Sequence, residues 1–136
     1  MRIAFNACIM DLLHKGHLDL LRLMRANSDK VIIIIHDDKS CYLIKDKFPV
    51  QTLKHRIRNI RMTGLVDDVI VTKSTDPYKE FETVIKKYDK HDLVYYRGDD
   101  LVDSFPGKWL LDKFDIKIHY KPYTKGVSST KIRDSL

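Results

Sequence analysis

Cysteine is scarce in this chain: two in 136 residues, Cys8 and Cys41. Two cysteines do not make a disulfide framework, so nothing points to an oxidising compartment. Long apolar runs are also missing. The longest candidate, Val31 to Ile35, has the length of a strand and falls far short of a membrane span. Asn6 and Asp11 interrupt the apolar start, which argues against a secretory signal and leaves the cytoplasm as the expected location. There is no internal repeat, low-complexity tract or linker, and the length suits one domain without room for a second core. Basic, aromatic-interleaved motifs of the known nucleic-acid-binding classes are absent too.

Positive charge is plentiful. Lys and Arg number 25 against 19 Asp and Glu, giving a net charge of +6. A surplus of this kind attracts polyanions. A solvated lysine-rich surface, a nucleic-acid partner and a pocket for a triphosphate all fit the charge, and the motifs below favour the pocket.

Strand-like and helix-like runs alternate along the chain. Ile3 to Cys8 reads as a strand, and Leu20, Leu21 and Met24 have helical spacing within Leu18 to Ala26. Val31 to Ile35, β-branched and without polar alternation, predicts a strand buried on both faces. A polar stretch from Asp37 to Val50 follows. Thr52 then offers a cap for a helix that buries Leu53, Ile57 and Ile60 and ends near Gly64. Val69 to Val71 reads as a short strand, and Pro77 opens a helix carrying Phe81, Val84 and Ile85. Leu93 to Tyr96 and Ile116 to Tyr120 read as further strands, and Ser128 or Ser129 as the cap of a last short helix. This alternation predicts an α/β fold: a doubly wound parallel sheet in three α/β/α layers, with the ligand beyond the carboxyl ends of the strands.

Two segments carry chemistry. His14-Lys15-Gly16-His17 falls between the first strand and the first helix. Imidazoles three residues apart at a helix start can face the same way. Gly16 allows a phosphate to come close, and the helix N-terminus adds N–H groups and partial positive charge. A zinc site is the alternative, but it needs two more ligands, and only Cys8 and Asp11 are near in sequence. The second segment is Gly126-Val127-Ser128-Ser129-Thr130-Lys131, where hydroxyls and backbone N–H groups at a helix start can bind phosphate oxygens.

The run Asp11-Leu12-Leu13-His14-Lys15-Gly16-His17 closely resembles the first signature of the cytidylyltransferase-like nucleotidyltransferases, a branch of the HIGH superfamily, and Gly126 to Thr130 resembles their second. Both occur in the family's order, and the resemblance covers essentially the whole chain. It implies a Rossmann-like fold and transfer of a nucleoside monophosphate from a nucleoside triphosphate to a small phosphorylated acceptor, with release of pyrophosphate. It implies catalytic roles for His14, His17, Lys47 and Thr130. Nucleotide contacts fall on Ile9, Met10, Asp11, Gly16, Tyr123, Thr124, Gly126, Ser128, Ser129 and Lys131. Arg97-Gly98-Asp99 resembles the segment near the base and ribose. Lys45 and Lys47, ten and eight residues before His55-Arg56, match a lysine pair that contacts phosphates in the glycerol-3-phosphate cytidylyltransferases, which assigns Lys45 and Arg56 to the acceptor. The implied cation is Mg2+, held mainly through the triphosphate. The implied partners are nucleotide and acceptor, with no nucleic acid and no membrane, and the implied assembly is a homodimer.

The sequence departs from that pattern at Tyr123, where the cytidylyltransferases carry an arginine, and at Ile9-Met10, where they usually carry Thr-Phe or Cys-Phe. Tyrosine lacks the charged fork of arginine. Asn6-Ala7-Cys8 and Phe48-Pro49-Val50 are similar to the adenylyltransferases that act on heptose phosphates. ATP with a sugar phosphate is therefore the alternative to CTP with glycerol 3-phosphate. A non-catalytic nucleotide sensor is a further one.

Overall fold

The computed structural model describes residues 1–98 and 104–122. Five strands form one parallel sheet: β1 (Ile3–Cys8), β2 (Lys30–His36), β3 (Asp68–Thr72), β4 (Leu93–Gly98) and β5 (Lys117–Lys121). Their spatial order is β3-β2-β1-β4-β5. The chain thus builds outward from β1 in one direction, then returns and builds outward in the other. The reversal falls between β1 and β4, which makes the carboxyl end of that pair the topological switch point where ligands bind in sheets of this kind.

Alternation along the central strands sends side chains into two separate cores. Ile3, Phe5, Ile32, Ile34, Leu93 and Tyr95 face one side and pack on Phe81 and Val84 of α4 (Tyr78–Lys87) and Leu110 and Leu111 of α5 (Lys108–Lys113). Ala4, Val31, Ile33, Ile35, Val94 and Tyr96 face the other, against Leu21 and Met24 of α1 (Lys15–Ala26) and Ile60 of α3 (Leu53–Met62). The result is the expected doubly wound, three-layer arrangement, and all of Val31 to His36 is buried.

Two elements differ from the sequence expectation. The polar stretch after β2 contains a helix, α2 (Asp38–Lys45), because the Asp37 carboxylate caps it by accepting from Ser40 N at 2.8 Å. The short helix α5 also forms without a sequence signal. Gly107 precedes it at φ 87°, and a Cβ there would stand 2.3 Å from Phe81 Cε2, so only glycine fits. The Ser128–Ser129 helix cap lies outside the described residues. Among the described residues, no helix is long and apolar enough to cross a membrane.

Candidate active site

The parallel ladder between β1 and β4 runs only from Ile3↔Leu93 to Phe5↔Tyr95. Beyond it the strands are bridged by side chains. Asn6 Nδ2 donates to the Tyr96 carbonyl at 2.6 Å, and Ala7 N donates to the Tyr95 hydroxyl at 3.1 Å. The strands therefore part at the switch point. The loop from β1 to α1 and the Arg97-Gly98 end of β4 stand on either side of the parting. Arg97 lies with its guanidinium 4.5 Å above the Phe105 ring, which in turn stacks on Tyr95.

His14 and His17 stand at the start of α1 with their rings stacked, centroids 3.9 Å apart and planes 23° from parallel. The local sequence enforces this. His14 is the N-cap, and its Nδ1 accepts from Gly16 N at 3.0 Å. His17 reaches back, its Nδ1 accepting from His14 N at 3.2 Å. This is a reciprocal capping box built from two imidazoles. An Nδ1 that accepts leaves the ring proton on Nε2, so each neutral ring presents an Nε2–H donor. Burial lowers the pKa of His14, and burial together with the His14 ring lowers that of His17 to about 4. Both rings are neutral donors at physiological pH. One of the N–H groups at this helix start, that of Gly16, is engaged by His14.

The loop ahead of the pair is strained. Met10 and Leu12 have φ of 54° and 49°, left-handed values that cost about 1–2 kcal/mol for a residue with a Cβ. Hydrogen bonds to the β2–α3 region hold it there. The Asp11 carboxylate accepts from Val50 N at 2.8 Å and Gln51 N at 3.0 Å. Gln51 Oε1 accepts from Leu12 N at 3.1 Å. Arg56 Nη1 donates to the Ile9 carbonyl at 2.8 Å.

Arg56 requires a correction. Expected at the acceptor, its side chain is fully buried. Besides Ile9 it donates to the Gln51 carbonyl (3.1 Å), the His36 carbonyl (2.8 Å) and Asp38 Oδ1 (2.7 Å). It joins the loop after β1 to β2, α2 and α3, with no accessible surface to offer a small molecule. Lys45, the last residue of α2, and Lys47, just beyond the left-handed Asp46, are both exposed. They hang from the same segment that Asp11 fastens at Val50 and Gln51. Asp67 anchors the start of β3, its carboxylate accepting from Val31 N and Arg25 Nη1, both at 2.8 Å.

Among the described residues, no three His, Cys, Asp or Glu side chains come together as a metal site. Both Asp11 oxygens accept backbone N–H groups. Desolvation pushes the Cys8 thiol up to about 12, which makes it a poor nucleophile and a poor ligand.

Ile9, Met10, Asp11 and the cap His14 lie in the loop before α1, Gly16 and His17 lie in its first turn, and the segment carrying Lys45 and Lys47 is tied to that loop. Asp99, Tyr123, Thr124, Gly126, Ser128, Ser129, Thr130 and Lys131 lie outside the described residues. Gln51 carried no signal in the sequence, because its contact with Leu12 spans 39 residues and belongs to no motif.

The cytidylyltransferase-like family profile matches residues 8–135. The glycerol-3-phosphate cytidylyltransferase of Bacillus subtilis (strain 168) is 31% identical over 127 residues, covering 93% of this chain and 90% of that protein. The bifunctional protein HldE of Desulfatibacillum aliphaticivorans is 30% identical over 132 residues, 96% of this chain but 26% of HldE, so this chain spans about a quarter of it. A lipopolysaccharide core biosynthesis protein from Thermoplasma volcanium has the same fold, with a TM-score of 0.65 at 22% identity over 93% of this chain and 99% of that one.

Proposed function

The chain belongs to the cytidylyltransferase-like family and is a nucleotidyltransferase, and on that premise we propose that it transfers the nucleoside monophosphate of CTP to glycerol 3-phosphate. The observation that carries the reading is the stacked pair of neutral Nε2–H donors at a helix N-terminus on the switch point.

An oxygen of the acceptor phosphate attacks the α-phosphorus in line. The new P–O bond forms as the bond to the bridging α–β oxygen breaks, and pyrophosphate leaves with that electron pair. No covalent enzyme intermediate forms. His14 and His17 donate to α- and β-phosphate oxygens as charge builds there, a preorganised stabilisation of the transition state. Lys45 holds the acceptor phosphate and Lys47 a nucleotide phosphate. Ser129, Thr130 and the segment from Gly126 to Lys131 grip the outer phosphates, while Arg97, Gly98 and Asp99 line the base and ribose. Mg2+ entering with the triphosphate would neutralise part of its charge. The imidazole N–H groups of His14 and His17 suit phosphate oxygens rather than a hard cation, so phosphate oxygens and water would hold the metal. The reading extends to a homodimer, the assembly that the family resemblance implies.

A second reading, ATP with a sugar phosphate, is favoured by the resemblance of Asn6-Ala7-Cys8 and Phe48-Pro49-Val50 to the heptose-phosphate adenylyltransferases and by Tyr123 in place of the arginine. Pyrophosphate release with ATP, CTP, GTP and UTP against phosphorylated alcohols and sugars separates the two. CTP with glycerol 3-phosphate should give the highest kcat/KM. A maximum for ATP with a sugar phosphate establishes the second reading. Nucleotide binding without pyrophosphate release for any pair would make the chain a sensor.

A further inference from the structure

Gln51 meets the histidine loop with both backbone and side chain. Its N–H donates to Asp11 Oδ1, and its Oε1 accepts from Leu12 N. Asn59 Nδ2 on α3 lies 3.4 Å from the same Oε1, and the Gln51 carbonyl accepts from the buried Arg56. The side-chain carbonyl is thus held between the loop and a helix that packs on the sheet through Ile60.

Its loop partner is the residue most in need of holding. Leu12 is left-handed, lies two residues before the helix cap His14, and its N–H takes part in neither strand nor helix. Without an acceptor at that N–H, the peptide is free to relax toward the ordinary region of backbone space. The helix itself is fixed by Leu21 and Met24, so such a relaxation displaces the cap end of α1 and leaves the core intact.

We propose that Gln51 is a positioning residue: its side-chain carbonyl locks the left-handed turn at Leu12, fixes where His14 and His17 stand, and fastens the lysine-bearing segment to that turn. The consequence for rate rests on the nucleotidyl-transfer reading above, whereas the consequence for geometry does not. Displacing a catalytic group by about 1 Å costs on the order of 100-fold. The expected effect of losing the acceptor is therefore a fall of about 10- to 100-fold in kcat, with nucleotide KM within a few-fold, because no group that touches nucleotide has been removed.

Two variants of the full chain test this. Gln51→Met keeps the volume and removes the acceptor. Gln51→Glu keeps an oxygen acceptor at the same reach. Single-turnover rate and the nitrogen-15 chemical shifts of the His14 and His17 rings are measured on each. Gln51→Met should lower the rate and disturb the Nε2–H pattern of both rings, and Gln51→Glu should restore both to near wild type. Wild-type ring shifts in Gln51→Met would overturn the proposal whatever the rate does. Disturbed shifts with an unchanged rate would overturn the role in positioning for catalysis. If Gln51→Met does not fold, wild-type ring shifts in Gln51→Glu support the acceptor role, and disturbed shifts there overturn it. Should the wild-type chain transfer no nucleotide to any acceptor, the functional reading fails, and the ring shifts alone still decide whether Gln51 holds the loop.

Discussion

The rings of His14 and His17 lie 3.9 Å apart and nearly parallel, each Nδ1 accepting a backbone N–H of the same turn. Protonating either Nδ1 breaks a cap hydrogen bond and places a charge against the neighbouring ring. The pair is thus built to remain neutral.

A pH prediction follows from that geometry. Burial and the His14 ring hold His17 at about 4 in the folded chain, against about 6.5 unfolded. Between those values the unfolded chain binds more protons than the folded one, so stability falls as the pH drops from about 6.5 toward about 4 and is fully present above that window. Melting temperature should decline across that window, while kcat shows no rise as the pH falls through 6.5. A rate that climbs on acidification would mean the reaction uses an imidazolium, contrary to the capping geometry.

Lys45 and Lys47 should separate by substrate. Both are exposed on the segment tied to Asp11, so neither carries packing. Lys45→Ala should raise the acceptor KM and Lys47→Ala the nucleotide KM, each by about 10- to 100-fold, the range of one charge-assisted hydrogen bond. Melting temperatures should match the wild type. Unchanged kinetics in both variants would reduce the pair to surface charge.

Much of this was legible in the sequence because it is local. The capping cue at Thr52, the buried run from Val31 and the helical spacing of Leu20, Leu21 and Met24 each reflect neighbours along the chain, and the parallel sheet follows from their alternation. The same holds for His14 and His17, three residues apart on one helix start. What escaped was set at a distance. Helix α2 leaves Tyr42, Leu43 and Ile44 exposed and buries only Ser40 and Cys41, so it lacks the apolar stripe that reveals a helix. The assignment of Arg56 to the acceptor rests on the resemblance of Lys45, Lys47 and His55-Arg56 to a family segment, not on contacts legible along the chain. The Arg56 partners Ile9, His36 and Asp38 lie 47, 20 and 18 residues away, and only the fold brings them together.

That burial sets the outcome for Arg56→Ala. Removal leaves three carbonyls and the partly exposed Asp38 carboxylate without that donor, and each acceptor left buried and unsatisfied costs about 1–3 kcal/mol. Together these are a large share of the roughly 5–15 kcal/mol that holds a domain together. The variant should melt well below the wild type or fail to fold. Arg56→Lys should recover only part of the loss, because an ammonium cannot reach four acceptors spread around a planar fork. An Arg56→Ala chain with wild-type stability and a raised acceptor KM would return the residue to the binding site.

For His17 the structure joins two roles in one ring. Nδ1 caps the helix, and Nε2–H is the donor available to a phosphate oxygen. His17→Ala loses both. Losing a cap of this kind costs about 0.5–2 kcal/mol, enough to lower the melting temperature by several degrees in a chain of this size. Losing a preorganised donor to the developing charge costs about 100- to 1,000-fold in kcat. His17→Asn separates the two. Its Oδ1 stands where the imidazole Nδ1 stands and can accept from the His14 N–H, and its amide N–H can still donate, though from a shorter side chain. It should regain most of the melting temperature and only part of the rate. Thermal melting and single-turnover rate measured on the same preparations decide the matter. If His17→Ala melts early yet turns over at the wild-type rate, the residue is a cap alone, and the α-phosphate must be stabilised by other groups.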